Sequence, residues 1–451
     1  MAESSPLPPI GAEKSWLDRV LSLVTEVRAG EGVSALLLAA NVFFILAFYS
    51  VLKIVRDALI LSEAGAVAAS YSSAGQALLL LLFVPAYGLL ASRVNRLWLV
   101  CGVTVFFASH LLMFYALGAA GARLGIAFYL WLGVFNMVAV AQFWAFANDV
   151  YSTERGRRLF PLLGVGASLG AVVGSGTTAY LFGGMGAYVL MLIAAGGFLI
   201  PVWLTIWVHR RERHARRDAA AEKAEKPLEK AGGFQLVFTN RYLMLIAIMV
   251  LVLNLVNTLG GFLLNTLIES EAFRMVELGT SNGLDAQALI GTISGTIQTL
   301  VNALAFLLQM FIVSRVFKYI GIRGALFVLP AIALGGYALV ALFPVFAVLR
   351  VTKVLENGTD YSLQNTTRQT LFLPTSREAK YKAKQAIDAF FVRAGDFLQA
   401  GVVFAGTALA FGVRHFAMLN VVLALIWLVV TVAIAHEHKK LVPEESAREA
   451  A

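Results

Sequence analysis

The sequence predicts an all-α integral membrane protein with twelve transmembrane helices in two six-helix halves. Three observations lead there. Apolar stretches of membrane-spanning length recur from end to end, charged residues make up only 14% of the 451 positions, and Lys and Arg collect in alternate loops. Soluble domains average about 25% charged residues. With 59% hydrophobic residues and a mean hydropathy of +0.77, a soluble enzyme with one anchor is excluded. The net charge of +9 comes largely from short loops. It therefore reads as topology and not as affinity for nucleic acid. Cys101, the sole cysteine, excludes an intrachain disulfide. Residues 1–30 lack a continuous apolar core, so no cleaved signal peptide is predicted.

In chain order, residues 1–30 form a cytosolic segment whose first twelve residues read as disordered. From Lys14 to Arg28, Trp16, Leu17, Val20, Leu21, Val24 and Val27 share one helical face with charges opposite. That pattern predicts an amphipathic helix on the membrane surface or packed on a loop. Twelve spans follow, near 33–61, 70–92, 97–119, 125–149, 158–182, 186–208, 241–268, 286–313, 325–343, 346–370, 384–411 and 415–435. The six-helix halves are 31–208 and 234–436, separated by the basic linker 209–233 and followed by a tail, 437–451. Arg93 and Arg96, Arg155 to Arg158, the linker, Arg315 to Arg323 and Arg377 to Lys384 fall in every second loop. Both termini are therefore expected in the cytosol.

The halves echo each other. NDVYSTERGRRLFPL (148–162) and TDYSLQNTTRQTLFLP (359–374) share an Asp, Tyr-Ser, Arg and Leu-Phe before Pro, and GLLASRVNR (88–96) is matched by VSRVFKYIGIR (313–323). Repeated six-helix halves describe a major-facilitator-like fold. Gly166, Gly170 and Gly174, and Gly291 and Gly295, have the small-xxx-small spacing of closely packed helices. No Gly-Lys-Ser/Thr phosphate loop occurs, and no nucleophile–base or metal-ligand set is evident, so neither enzymatic activity nor a cofactor is expected. His436 and His438 read as part of a solvated tail.

Candidate functional residues are ionisable groups at membrane depth. On span 10, Lys353, Glu356 and Asp360 lie at i, i+3 and i+7, roughly 10, 15 and 21 Å inside the apolar core. On the next span, Asp388, Arg393 and Asp396 reach comparable depths. A charge there costs on the order of 3 kcal/mol or more, so these groups must pair or line a wet pathway. Both readings stand: a pathway, or ion pairs that lock helices. On span 1, Lys53 and Arg56 share a face with Tyr49 and Asp57, a combination able to hold phosphate and stack a ring. The same cations could instead snorkel to the interface.

Three stretches resemble the ATP/ADP translocases of plastids and intracellular bacteria and their free-living bacterial relatives. They are YSVLKIVRDAL (49–59), FWAFANDV (143–150) with RRLFPLLG (157–164), and YSLQNTTRQTLFLPTSREAKYKAKQAID (361–388). The resemblance implies that Lys53, Arg56 and Asp57 match a basic–acidic cluster on span 1, and that Asn148 and Asp149 match the end of span 4. It places Arg368 where a substrate-linked Lys is usual, and Glu269 roughly at an acidic position of span 7. Gln369 departs from the Glu that normally follows that Lys. The expectation is a monomeric secondary transporter working by alternating access, exchanging or importing nucleotides or related phosphorylated anions through the bilayer. Transport of another amphiphile, such as a phospholipid or peptide fragment, and a non-transporting membrane sensor are the alternatives.

Overall fold

The computed structural model describes residues 14–22, 25–91, 94, 96–151, 153–212, 233–376 and 378–441. The first twelve residues, most of the linker (213–232) and the end of the tail (442–451) lie outside that set. The described residues are helical throughout their ordered elements. A short α1 (Trp16–Leu21) precedes α2 (Gly32–Glu63), α3 (Gly65–Ala91), α4 (Arg96–Ala119), α5 (Gly125–Val150), α6 (Thr153–Gly197) and α7 (Leu199–Arg211). After the linker come α8 (Gly233–Thr239), α9 (Arg241–Glu277), α10 (Ala286–Leu307), α11 (Val313–Tyr319) and α12 (Gly321–Leu342). The last elements are α13 (Phe346–Thr359), α14 (Asn365–Thr370), α15 (Lys384–Ala386), α16 (Val392–Ala408) and α17 (Val413–Leu441). Wider π turns occupy Leu308–Ile312, Asp360–Gln364, Ala379–Ala383 and Ile387–Phe391.

Among the described residues, ten segments are long and apolar enough to cross a membrane. One of them, 158–211, has 54 residues. At 1.5 Å per residue that is well over twice what one crossing needs. It is two spans joined at Gly186, whose φ of 72° breaks the helix. The stretch 346–370, which carries Arg350, Lys353, Glu356, Asp360 and Arg368, is the twelfth crossing. This is a twelve-span, all-α membrane protein of the major-facilitator type.

Spans 1 and 2 meet more tightly than the sequence predicts. Their loop is the single residue Ala64, because Gly65 takes a φ of 82°. Only glycine adopts that backbone without strain.

The chain packs as two compact units, the described residues of 1–59 and 79–226, and those of 60–78 and 227–451. In the first unit, α6 lies against the backbone of α2. A Cβ added at Gly166, Gly170 or Gly174 would meet the carbonyl oxygens of Ala39, Phe43 and Ala47. The glycine stripe is therefore a helix-packing surface.

One end of this unit is held by charge. Arg158 forms a two-pronged pair with Glu31, at 2.9 and 3.0 Å. Arg155 bridges Glu31 (3.2 Å) and Glu212 (3.3 Å), and Ser34 donates to Glu212. The N-terminal segment joins the same end. Its helix covers only residues 16–21, with Trp16 and Val20 exposed and Asp18 buried. Asp18 turns inward because it accepts from Ser15 N (3.0 Å), Ser15 Oγ (2.7 Å), Gly30 N (3.2 Å) and Gly32 N (2.8 Å), capping both α1 and α2. Burial alone would raise its pKa, but these hydrogen bonds outweigh it and hold the carboxyl below its ordinary value.

In the second unit, α17 packs along α12 and α9. It carries the chain to Leu441, so His438 is buried beside the Tyr242 ring instead of lying in a solvated tail, while His436 is exposed.

Candidate functional site

The second unit brings the charges of spans 10 and 11 against α9, but gives them different surroundings. Lys353 and Glu356, one turn apart on α13, form a fully buried pair with Nζ 2.9 Å from Oε2. Lys353 also donates to the Asn257 backbone oxygen and to Asn257 Oδ1, both at 3.1 Å. The three protons of its ammonium are thereby used. Tyr337 of α12 donates to the same Glu356 oxygen at 2.6 Å. Gly260 makes room for this knot, since a Cβ there would meet the Tyr337 hydroxyl and come within 3.3 Å of Lys353 Cδ. These two charges are satisfied internally and tie α9, α12 and α13 together.

Beyond Thr359 the chain widens into the π turn Asp360–Gln364, and the environment changes. A cavity of about 530 Å³ opens there. It is bordered by Asn254 and Asn257 of α9, by Asp360, Tyr361, Gln364, Asn365 and Arg368, and by Asp388. Asn257 Nδ2 donates to Asp360 Oδ2 at 3.2 Å, which joins the knot to the cavity wall. Three bordering residues hold buried polar atoms with no hydrogen-bond partner among the described residues. They are both amide atoms of Gln364, Arg368 Nε and Asp388 Oδ1. Gln364 is only 1% exposed. Unsatisfied buried groups are costly, each about 1–3 kcal/mol, and here three of them belong to residues that border one cavity. Asp396 stands behind the wall, accepting from Asn254 Nδ2 (2.9 Å) and Arg393 Nη1 (3.1 Å).

The first unit presents a smaller polar set on α2. Arg56 donates to Asp57 Oδ1 through Nε (2.9 Å) and Nη2 (2.6 Å), and its guanidinium lies 4.5 Å from the centre of the Tyr129 ring. Lys53 and Tyr49 lie one and two turns before Arg56, both partly buried. Asn148 and Asp149 close α5, the former exposed. Glu269 is placed apart from the charges of spans 10 and 11. Its Oε2 accepts from Ala66 N at 2.8 Å, capping α3, beside a second cavity of about 390 Å³ lined by Phe262, Phe411 and Phe416.

Asp360, Arg368 and Asp388 thus meet at one cavity, Lys353 with Glu356 and Arg393 with Asp396 form pairs, and Glu269 caps a helix. Sequence reasoning missed Asn254, Asn257, Tyr337, Tyr129 and Gln364. Asn254 and Asn257, polar and one turn apart inside the apolar run VLVLNLVNTL, were the available signal.

The profile of the TLC ATP/ADP transporter family matches residues 126–438. This chain belongs to that family. Among curated relatives it is 22% identical over 344 residues to "ADP,ATP carrier protein 1" of Chlamydia muridarum, covering 67% of this chain and 63% of that carrier. It is 23% identical over 359 residues to "ADP,ATP carrier protein 2" of Chlamydia pneumoniae, covering 67% of this chain and 64% of that carrier. The match therefore spans somewhat less than two thirds of either carrier. Solved structures of similar fold include the nucleoside transporter NupG, with a TM-score of 0.61 at 14% identity, covering 89% of this chain and 98% of that one. A bacterial homologue of the iron transporter ferroportin in its inward-facing state gives a TM-score of 0.62, also at 14% identity and with the same coverage. At that identity the likeness speaks for the fold of this TLC-family chain and not for its substrate.

Proposed function

We propose that this TLC-family chain is a secondary transporter that exchanges nucleotides, or closely related phosphorylated solutes, by alternating access. It acts as a monomer in a bacterial inner membrane, with both termini in the cytosol. The observation that carries the reading is the cavity of the second unit, bordered by Gln364, Arg368 and Asp388, each of which holds a buried polar atom without a partner among the described residues. An amide, a guanidinium and a carboxylate suit a ligand that is polar along its length. The names of the curated relatives, ADP,ATP carrier proteins, add the substrate class. Each unit taken by itself holds a polar set, Lys53, Arg56, Tyr49 and Asp57 in the first and Asp360, Arg368 and Asp388 in the second.

The test is counterflow in liposomes containing the purified protein. Preloading with ADP should drive uptake of labelled ATP, and empty vesicles should take up little. ATP uptake that ignores the internal nucleotide would remove exchange, and absence of any nucleotide transport would remove the substrate class. Orientation is tested separately in a Cys101→Ala background. Thr239→Cys should label only from the cytosolic face and Thr280→Cys only from the opposite one. Labelling of both from one face would refute the topology.

A second reading has one observation behind it. The cavity beside Glu269 is walled by three phenylalanines and offers a single carboxylate, which fits an amphiphile with an amine headgroup better than a nucleotide.

A further inference from the structure

The cavity of the second unit is poorly matched to a polyphosphate. Its bordering ionisable groups are two carboxylates, Asp360 and Asp388, against one guanidinium, Arg368. Two cations on the same spans are already engaged. Lys353 is consumed by Glu356 and Asn257, and Arg393 is paired with Asp396. A chain of phosphates placed here would meet more negative than positive charge in a medium that screens poorly.

The same groups fit the other end of a nucleotide. Gln364 offers an amide N–H and an amide oxygen side by side, both buried and without a partner among the described residues. That is the complement of a nucleobase edge, where a ring nitrogen or carbonyl acceptor adjoins an N–H donor. Asp388 keeps one oxygen unpartnered, and Asp360 has one oxygen beyond the one held by Asn257. Carboxylate oxygens accept hydrogen bonds from neighbouring sugar hydroxyls. A volume of about 530 Å³ is within the range of small-molecule sites, about 300–1,000 Å³.

We propose that this cavity is the nucleoside subsite of the transporter. Gln364 reads the base edge, Asp360 and Asp388 take the ribose hydroxyls, and Arg368 reaches no further than the phosphate next to the sugar. The assignment rests on the nucleotide reading given above, which it narrows to a particular end of the substrate.

The experiment is displacement of labelled ATP from the purified full-length protein by adenosine, 2′,3′-dideoxyadenosine and inorganic triphosphate. Adenosine should displace ATP without any phosphate of its own. Gln364→Leu should weaken adenosine and ATP by the same factor, about ten-fold or more, and leave inorganic triphosphate unchanged. Gln364→Glu, of equal size, replaces the amide donor with a second acceptor and should do the same if the leucine variant fails to fold. Asp388→Asn should weaken adenosine but not dideoxyadenosine. The proposal is overturned if ATP binds and adenosine does not displace it, or if the Gln364 variants weaken triphosphate as much as adenosine. It is equally overturned if Asp388→Asn acts on both nucleosides alike. If ATP itself does not bind the wild-type protein, the nucleotide reading fails and this assignment goes with it.

Discussion

Lys353 and Arg368 lie on one membrane-crossing stretch, four turns apart, and have opposite fates. Around Lys353 every proton is used, by Glu356 and Asn257, and Tyr337 donates to the same Glu356 oxygen. Around Arg368 the guanidinium Nε is buried with no partner among the described residues, as are the Gln364 amide and one oxygen of Asp388. A charge at membrane depth can be satisfied by its own fold or kept for a ligand. The two outcomes follow from the partners that the fold supplies at each position. The knot holds three helices in register, and the cavity beside it has a firm wall because of the knot. Four perturbations would break or sharpen the contrast.

The largest effect is expected at the knot. Glu356→Gln leaves the Lys353 ammonium buried without its counter-charge, which should cost about 3–5 kcal/mol of stability. Unfolding in a chemical denaturant would measure it. Lys353→Met combined with Glu356→Leu should recover much of the loss, because both charges are then gone. A double variant as unstable as the single one would mean that Tyr337 and Asn257, and not the ion pair, hold the site.

Arg368→Gln should leave folding nearly unchanged and weaken ATP binding by about 1.5–3 kcal/mol, the contribution of a hydrogen bond to a charged group. AMP, ADP and ATP should lose affinity by the same factor when binding is measured calorimetrically, since only the phosphate beside the sugar is in reach. Arg368→Lys should retain most of the affinity, which a site needing the planar guanidinium fork would not allow.

The Arg393–Asp396 pair is intermediate. Arg393 is 30% exposed, so solvent weakens the attraction, and Asp396→Asn should cost only about 1 kcal/mol. Transport should fall further than stability does, because Asn254, which borders the cavity, loses a carboxylate acceptor. Equal losses in melting and in transport would reduce the pair to a structural tie.

The smallest effect lies in the first unit, at Glu31. Burial raises its pKa, but the Arg158 pair, the Arg28 N–H and Arg155 outweigh that and hold the carboxyl below its ordinary 4.5. A carboxyl depressed in the folded state contributes stability that is present above the unfolded value. That contribution is lost as pH falls through the folded value. Melting of the wild type should therefore drop on acidification below about pH 4.5, and Glu31→Gln should flatten the drop. An unchanged profile would show that Glu31 is not the group being titrated.

Much of the fold was legible because lipid imposes a strict rule: each span must be helical, apolar and about twenty residues long. What escaped the sequence is local geometry. Spans 5 and 6 run together through Gly186, and spans 1 and 2 turn at Ala64, where a pattern of apolar lengths leaves room for a loop. The charges of span 10 were found, but a helical wheel of constant pitch carries no sign of the π turn at Asp360–Gln364. Gln364 therefore read as an ordinary polar residue of a motif. Asp18 was assigned to the solvent face by periodicity, while two backbone amides from the start of α2 and its approach draw it inward. Partners contributed by other helices, such as Tyr337 and Asn257, depend on packing that no single stretch encodes.

The division between an internal lock and a ligand site is tested most directly by one measurement. It is the melting temperature of wild type, Glu356→Gln and Arg368→Gln, each with and without saturating ATP. Glu356→Gln should melt well below wild type and still gain stability from ATP. Arg368→Gln should melt with wild type and lose most of the ATP-induced gain. The reverse pattern, with Arg368→Gln unstable and Glu356→Gln blind to ATP, would contradict the account.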